Sequence, residues 1–169
     1  MKIGIISDTH GDRLKMKKAL IRLKGTDCLL HAGDLYRDVL WMQGRYHGSV
    51  TGVTGNSDPA DSGPVLQMFE ADNLKIMLSH GHIYHVQRSL THLYYRALEK
   101  KANVVVFGHT HMPLIFNEGL LMINPGSLSR PRTSHGPTYA VLETGLKPKV
   151  SIHSLDTGNL IMNWSDTMG

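Results

Sequence analysis

Cysteine is almost missing from this sequence of 169 residues, in which Cys28 is the only one. One thiol cannot form a disulfide within the chain, and it excludes a structural zinc site built from several cysteines. The low cysteine content favours a reducing compartment, so we expect a cytoplasmic protein.

Long hydrophobic runs are also missing. The apolar stretch at residues 3–6 gives way to Ser7 and Asp8, and it is shorter than the core of a signal peptide. No later run is long enough to span a bilayer. We therefore expect a soluble protein with no membrane segment, and the length suits a single domain over residues 1–169.

Acidic residues are in the minority, with 14 Asp and Glu against 18 Lys and Arg, for a formal net charge of +4. The basic residues are scattered, apart from Lys15, Lys17 and Lys18, which are expected on the exposed face of a helix. The charge leaves nucleic acid open as a partner without indicating it. The eleven histidines are more unusual, because histidine is the commonest side-chain metal ligand.

The first half of the chain alternates short apolar runs with helical patterns. Strands are predicted at residues 2–7, 28–31 and 50–53, and helices at residues 12–24 and 36–47. The first helix is expected to bury Leu14, Ala19, Leu20 and Leu23 on one face. Such alternation indicates βαβ units with parallel strands.

The second half has a different pattern, with more antiparallel pairing. A hairpin is predicted around Asp72 and Asn73, followed by a long helix from Val86 to Lys101. Short strands are predicted at residues 65–69, 74–78, 104–107, 114–116, 120–123, 139–142 and 150–153. The weakly patterned tail, residues 157–169, is expected to be partly mobile or used in association.

Polar side chains follow five of the predicted strands at the point where each strand ends. They are Asp8 and His10, Asp34, Asn56 and Asp58, His80 and His82, and His109 and His111. In an open α/β sheet, ligands bind outside the carboxyl ends of the strands. We therefore expect these side chains to meet at one edge.

The types of these side chains indicate a metal site. Carboxylate, amide and imidazole groups without thiolate suit Mn, Fe, Ni, Zn or Co. The seven candidate ligands are too many for one tetrahedral ion but enough for two, if Asp34, from the central of three adjacent loops, bridges them. The candidate ligands are Asp8, His10, Asp34, Asn56, His80, His109 and His111.

Each of these residues has an ordinary alternative role when taken singly. Asp8 fits a helix N-cap, and Gly33-Asp34 and Gly55-Asn56 fit common turns. His80 and His82 fit hydrogen-bonded, partly buried histidines. Their recurrence at strand end after strand end favours a site.

The order Asp8-x-His10, Gly33-Asp34, Gly55-Asn56, His80 and Gly108-His109-Thr110-His111 resembles the calcineurin-like metallophosphoesterase superfamily. The resemblance extends from Met1 to about Glu143. Gly-Asn-x-Asp at residues 55–58, His-Gly-His at residues 80–82 and Asn-Pro-Gly-Ser at residues 124–127 are similar to its small prokaryotic, YfcE-type phosphodiesterase branch. The resemblance implies an α/β fold, a four-layer αββα sandwich of two mixed β-sheets flanked by helices.

The resemblance also implies a division of the ligands. Asp8, His10 and His111 would hold one divalent ion, while Asn56, His80 and His109 would hold the other, with Asp34 as the bridge. The implied activity is that of a metal-dependent phosphodiesterase. In it, a hydroxide bridging two ions roughly 3.5–4 Å apart attacks a phosphate ester in line. Manganese is the expected metal, with Ni, Fe, Zn, Co or Mg as alternatives. A small phosphodiester or nucleotide-like substrate is expected, and a homo-oligomer is expected by analogy with the family.

One departure from the family pattern concerns the leaving group. Many members follow Gly-Asn with a histidine that protonates it, whereas this chain has Ser57. His82 and Asp58 are candidate substitutes, so the predicted catalytic set is Asp34, Asn56, His82 and Asp58. Leaving groups of low pKa should be preferred, since they need less protonation. Arg130 and Arg132 are candidate phosphate contacts, with surface solubility as an equally weighted alternative.

Two other functions remain open. One is a catalytically weak or inactive protein-interaction module on the same fold, although every ligand position is filled. The other is a phosphomonoesterase or protein phosphatase, although the short chain offers few insertions for docking a protein.

Overall fold

The computed structural model describes residues 1–166 of the chain, as eleven strands, three α-helices and one short 3-10 helix. In chain order the elements are β1 (Lys2–Ile6), α1 (Arg13–Arg22), β2 (Cys28–His31), α2 (Tyr36–Gln43), β3 (Ser49–Gly52), β4 (Leu66–Ala71), β5 (Leu74–Ser79), the 3-10 helix (His82–Tyr84), α3 (Thr91–Glu99), β6 (Val104–Val106), β7 (Pro113–Asn117), β8 (Leu121–Pro125), β9 (Thr138–Glu143), β10 (Lys149–Ser154) and β11 (Leu160–Ser165).

The strands form two sheets. One has six strands in the order β11-β10-β9-β1-β2-β3, and the other has five in the order β4-β5-β6-β8-β7. Strands β1, β2 and β3 are parallel, as the βαβ pattern predicts. Strands β5, β6 and β8 are also parallel, with antiparallel hairpins at both edges of their sheet. Both sheets are therefore mixed.

A central hydrophobic layer joins the two sheets face to face. Ile5 and Leu30 contribute to it from the six-stranded sheet, and Ile76 and Val106 from the five-stranded sheet. Two outer layers cover the other faces, with α1 and α2 on the six-stranded sheet and α3 on the five-stranded sheet. Each sheet is covered on both faces, so side chains on both sides of its central strands are buried. This explains why those strands are continuous apolar runs in the sequence. The predicted four-layer αββα sandwich is confirmed.

Helix α1 shows how the local sequence sets one of these layers. Asp12 is its N-cap, because the side chain accepts a hydrogen bond from the Lys15 N–H. Met16 and Ala19 are buried against the sheet. Leu14 is 79% exposed, so the prediction that it belongs to the buried face is wrong. It lies two positions before Met16, which places it about 200° around the helix from the buried row.

Two further predictions of secondary structure need correction. The long helix predicted from Val86 to Lys101 is only α3, because residues 85–88 form turns that begin at His85, whose φ is 54°, and residues 89 and 90 are not helical. The tail predicted as weakly patterned contains β11, which pairs antiparallel with β10. The last three residues of that tail, 167–169, lie outside the described residues. Within residues 1–166, no helix is long and apolar enough to cross a membrane.

Candidate metal centre

Seven polar side chains predicted from strand ends meet between the carboxyl edges of the two sheets. The loops after β1, β2 and β3 carry Asp8, His10, Asp34 and Asn56, and the loops after β5 and β6 carry His80, His109 and His111. In each of two groups, one ligand atom from every member lies within 4.8 Å of the others. The first group is Asp8, His10 and His111, and the second is Asp8, Asp34 and His80. Each group takes ligands from both sheets.

The first group is compact and nearly closed to solvent. Asp8 Oδ1 lies 3.1 Å from His111 Nε2, and the two facing nitrogens of His10 and His111 are 3.5 Å apart. The Asp8 side chain is completely buried, and those of His10 and His111 are 9% and 10% exposed. Three electron-pair donors therefore converge on one small volume.

The second group surrounds His80 Nε2. That nitrogen lies 3.6 Å from Asp34 Oδ2, 3.9 Å from Asp8 Oδ1 and 3.2 Å from the side-chain oxygen of Asn56. Asp34 Oδ2 is also 4.0 Å from His10 Nε2. Asp34 therefore faces a histidine of each group, as a bridging ligand must, while Asp8 is a member of both groups.

Backbone carbonyls fix the direction in which two of the histidines present their lone pairs. His80 Nδ1 is 2.7 Å from the Ala32 carbonyl, and His111 Nδ1 is 2.6 Å from the Arg130 carbonyl. A carbonyl only accepts, so both Nδ1 atoms carry the proton, and in the neutral ring Nε2 has a lone pair. These lone pairs point at carboxylate oxygens, an arrangement that a cation between them would stabilise. Among residues 1–166, Asp8 Oδ1 has no hydrogen-bond donor. The residues present thus fit divalent metal ions.

Most of the protonation equilibria of the site suit metal binding; the exception is His111, whose pKa is raised by its contact with Asp8. Burial, followed by the nearby His80, lowers the pKa of His109 to about 4. Burial also lowers the pKa of His10. For Asp8, burial raises the pKa, but the neighbouring His111 and His80 more than offset it and the net direction is downward. Neutral imidazoles and an ionised carboxylate are the forms that bind metal.

His109 and His82 complete the wall on the side of the five-stranded sheet. The ring of His109 is 5.1 Å from that of His80. The backbone N–H of His109 donates to Asp8 Oδ2 over 3.2 Å. The ring of His82 is 5.3 Å from that of His80. Burial lowers the pKa of His82, so it is a neutral imidazole at neutral pH. Its Nδ1 is buried without a hydrogen-bond partner in the described part of the chain.

Ser57 and Asp58, which follow Asn56 in the loop after β3, are both held by direct hydrogen bonds. Asp58 accepts the Tyr36 N–H on one carboxylate oxygen and the Gly55 N–H on the other, which ties its loop to α2. Ser57 donates its N–H and its hydroxyl to the two oxygens of Asp34, over 3.0 and 2.9 Å. Ser57, which stands where many family members have histidine, therefore orients the carboxylate predicted to bridge.

The two arginines lie at the rim of the cluster. Arg130 and Arg132 are both exposed, and their positive charges act on His10 and His111 respectively, in each case opposing protonation. The Arg132 N–H also donates to the His111 carbonyl over 3.2 Å. Both guanidinium groups are therefore near the opening of the site.

The loops of the site adopt strained backbone conformations. Five of the seven predicted ligands have positive φ: Asp8, His10, Asp34, His109 and His111. This region costs an L-residue about 1–2 kcal/mol, so each loop needs compensating contacts. Gly55 is required for a different reason, because a Cβ there would overlap the Asp34 carboxylate.

Sequence reasoning missed residues that support the ligands. The Ser127 and Ser129 hydroxyls both donate to the Asp8 carbonyl, and the Asn124 amide donates to the Gly108 carbonyl. The segment containing Asn124 was noted only as part of a resemblance. Asp38 was missed altogether; the available signal was its place four residues before the apolar Met42, which puts both on one face of the helix.

The family model described as the calcineurin-like phosphoesterase superfamily domain matches residues 1–147. The chain belongs to this superfamily. It is 34% identical to the "Probable metallophosphoesterase YsnB" of Bacillus subtilis over 144 residues, covering 84% of this chain and 83% of that protein. It is 29% identical over 168 residues to a Methanocaldococcus jannaschii protein named as a phosphodiesterase, covering 87% of this chain and 95% of the other.

Solved structures agree with the fold. A phosphoesterase-like protein of Streptococcus pneumoniae matches with a TM-score of 0.81 at 30% identity, covering 97% of each chain. The E. coli phosphoesterase YfcE matches with a TM-score of 0.75 at 21% identity, covering 97% of this chain and 98% of that one. A mutant of Vps29 from Entamoeba histolytica matches with a TM-score of 0.81 at 21% identity over the whole of both chains. The last two similarities show the fold alone.

Proposed function

We propose that this protein is a metal-dependent phosphodiesterase that uses two divalent ions to hydrolyse a small phosphodiester or nucleotide-like substrate. The observation that carries the proposal is the arrangement of His80 and His111. Their Nδ1 protons are engaged by backbone carbonyls, and their Nε2 lone pairs face the carboxylates of Asp8 and Asp34. Such a set of donors is stable when cations lie between them.

The proposed division of the ligands keeps the first group, Asp8, His10 and His111, and adds Asn56 and His109 to His80 of the second. Asp8, His10 and His111 would hold one ion, Asn56, His80 and His109 the other, and Asp34 would bridge. When bound, such ions activate water near neutral pH and stabilise negative charge on the phosphate oxygens. The residues of the chain exclude solvent from the inner side of the ligands, since Asp8 and His80 are completely buried.

Substrate positioning and the leaving group concern different side chains. The exposed guanidinium groups of Arg130 and Arg132 can donate forked hydrogen bonds to the non-bridging oxygens of a phosphate. Ser57 is a poor proton donor near pH 7, and its hydroxyl already donates to Asp34. His82 and Asp58 remain the proposed candidates for proton transfer. We therefore expect turnover to fall steeply as the pKa of the leaving alcohol rises.

A phosphodiester substrate and manganese are the specific forms of this proposal. The Methanocaldococcus jannaschii relative carries the name phosphodiesterase, which supports a diester over a monoester. Oxygen and imidazole ligands without thiolate suit Mn, and Ni, Fe, Zn, Co and Mg remain to be compared with it. The cytoplasmic location and the homo-oligomer stay predictions.

The first test is hydrolysis of an aryl phosphodiester, and of the corresponding monoester, by metal-stripped protein supplied with one divalent metal at a time. Asp34→Asn and His80→Ala should each abolish metal-dependent turnover. His47→Ala is the matched control, since His47 is exposed and precedes β3 at the opposite edge of the sheet. Faster hydrolysis of the monoester would overturn the diesterase assignment.

The second candidate function is a protein-interaction module. The similarity of the whole chain to Vps29 and the serine at position 57 favour it. The complete set of ligands favours the enzyme. If the wild-type protein binds metal and hydrolyses neither ester with any metal, the interaction module becomes the better explanation.

A further inference from the structure

A buried carboxylate that is not one of the predicted ligands lies directly behind the first group, Asp8, His10 and His111. Asp38, in the first turn of α2, has no exposed side-chain surface. Its Oδ2 accepts the Thr9 hydroxyl over 2.7 Å and the Gly11 N–H over 2.8 Å. Its Oδ1 lies 3.3 Å from a guanidinium nitrogen of Arg13. All of these contacts come from the segment that carries Asp8 and His10.

The segment after β1 therefore has two faces made of alternate residues. Asp8 and His10 take part in the metal cluster, whereas Thr9, Gly11 and Arg13 contact Asp38. Because alternate residues of this segment face the same way, one side presents Asp8 and His10 to the candidate metal site. The other side presents Thr9, Gly11 and Arg13 to the Asp38 carboxylate. A change in the contacts of Asp38 will move the ligand side of the same backbone.

A second buried residue extends the network to the loop that carries Asp34. His31 Nδ1 accepts the Gly33 N–H over 3.1 Å, so its other nitrogen carries the proton in the neutral ring. That nitrogen, Nε2, is 3.0 Å from the Thr9 hydroxyl oxygen, which can accept the proton while it donates its own to Asp38. The β1 and β2 loops are therefore joined through Thr9.

The backbone of the β1 loop requires such support. Asp8, His10 and Gly11 have φ angles of 53°, 42° and 80°. The N–H groups of Thr9 and His10 donate to the Asp34 carbonyl over 2.8 and 3.2 Å, and the Gly11 N–H has Asp38 as its acceptor. Without Asp38, Gly11 and Thr9 would lose charge-assisted hydrogen bonds, and a strained loop would relax.

We infer that Asp38 is a positioning residue that holds Asp8 and His10 in the conformation that binds metal. The inference rests on the proposed function, since it concerns the affinity of the site for its ions. Arg13 supports Asp38 in turn, because its guanidinium stacks on the Trp41 ring at 4.7 Å while contacting the carboxylate. Outer-shell partners of this kind set metal affinity through ligand orientation.

Calorimetric titration of Mn²⁺ into metal-stripped protein tests this inference without an activity assay. The two binding steps are assigned first, with His10→Ala for one cluster and His80→Ala for the other. Asp38→Asn keeps the shape of the side chain but places N–H groups where donors already point. Thr9→Val removes a single hydroxyl and is the milder variant, which covers the case in which Asp38→Asn does not fold.

The control is Asp12→Ala, which removes the N-cap side chain of α1 and lowers its stability but keeps the Asp12 backbone N–H that donates to the Thr9 carbonyl. We expect Asp38→Asn to weaken the step assigned to His10 by about 10- to 100-fold. The step assigned to His80 should weaken less, because Asp8 is the only member of its group in the loop that Asp38 holds. Thr9→Val should show a smaller loss than Asp38→Asn in the step assigned to His10, and Asp12→Ala should bind as the wild type does.

Three results would overturn the inference: wild-type affinity in a folded Asp38→Asn, equal weakening of both steps, or an Asp12→Ala variant as impaired as Asp38→Asn. A wild-type protein that binds no Mn²⁺ would contradict the proposed function itself, and so is distinguishable from a failure of Asp38 alone.

Discussion

His31 makes the stability of the metal-free protein depend on pH in a way that can be worked out in advance. The imidazole is completely buried between the β1 and β2 loops, and its two nitrogens are both hydrogen bonded in the neutral form. Burial lowers its pKa to about 4. In the unfolded chain the same ring has a pKa near 6.5.

The sign and size of the effect follow from these two values. Below a pH of about 6.5 the unfolded chain takes up a proton that the folded protein refuses, so unfolding becomes easier as the pH falls towards about 4. Of the interval from pH 7.5 to 5, about 1.5 pH units lie below the pKa of the unfolded chain, and there only the unfolded chain carries the additional proton. At about 1.4 kcal/mol per unit, the folded state loses about 2 kcal/mol from this one residue.

Urea unfolding of chelator-treated protein at pH 7.5 and pH 5 measures this loss. Other groups also titrate in this range, so the informative quantity is the difference between the wild type and His31→Gln, which has no proton to gain. We expect the wild type to lose about 2 kcal/mol more than His31→Gln. His47→Gln, which alters an exposed ring, should follow the wild type. Equal losses in the wild type and His31→Gln would refute the reasoning, as would an NMR titration that places the pKa of His31 above 6.

Two substitutions in the Asn56 loop test how the Asp34 carboxylate is held. Gly55→Ala introduces a methyl group where that carboxylate lies, so we expect Mn²⁺ binding to weaken by more than about tenfold. Gly44→Ala is the control, because a Cβ there would meet nothing within 4 Å. Unchanged binding in Gly55→Ala would mean that the Asp34 carboxylate can move aside without losing its role. Ser57→Ala removes one of the two hydrogen bonds to Asp34 and should lower kcat/KM for an aryl phosphodiester by about tenfold, in line with about 1.5 kcal/mol for a hydrogen bond to a charged group. Ser57→Thr should retain most of the activity, and equal activity in the alanine and threonine variants would exclude a role for the hydroxyl.

Much of the fold was predictable because its pattern is local. Strand β6 is an uninterrupted apolar run, and α1 begins directly after a residue that can cap it. The helices fall between parallel strands, so their alternation identifies the βαβ units. The carboxyl ends of those strands then bring the polar residues to one edge, which is a rule of the architecture rather than of this chain.

The misses arise where tertiary contacts decide the structure. The segment after His82 has helical composition as far as Lys101, but its first part turns back on itself, with Gly81 and His85 in the left-handed region. Strand β11 has a weak pattern because it is at the edge of its sheet, where most side chains are partly or fully exposed. Neither feature can be read from periodicity alone.

The candidate ligands could be predicted one by one, but not the contacts that hold them. Asp38 precedes Met42 by one helical turn, and only the folded chain shows that Thr9 and Gly11 reach it. Likewise, the sequence marks Ser57 as a departure from a pattern, whereas the structure shows that it donates to both oxygens of Asp34. Such roles depend on pairs of residues far apart in the chain.

Because both groups of candidate ligands take members from both sheets, the thickness of the central hydrophobic layer sets the distances between those side chains. Facing sheets pack about 10 Å apart, and a well-filled interior transmits a change in volume as a displacement. Ile5 and Ile76 are therefore under a geometric constraint that the residues beneath α1 and α3 do not share. A change of side-chain volume in the middle layer would therefore alter the distances between ligands, whereas the same change beneath α1 or α3 would displace a helix.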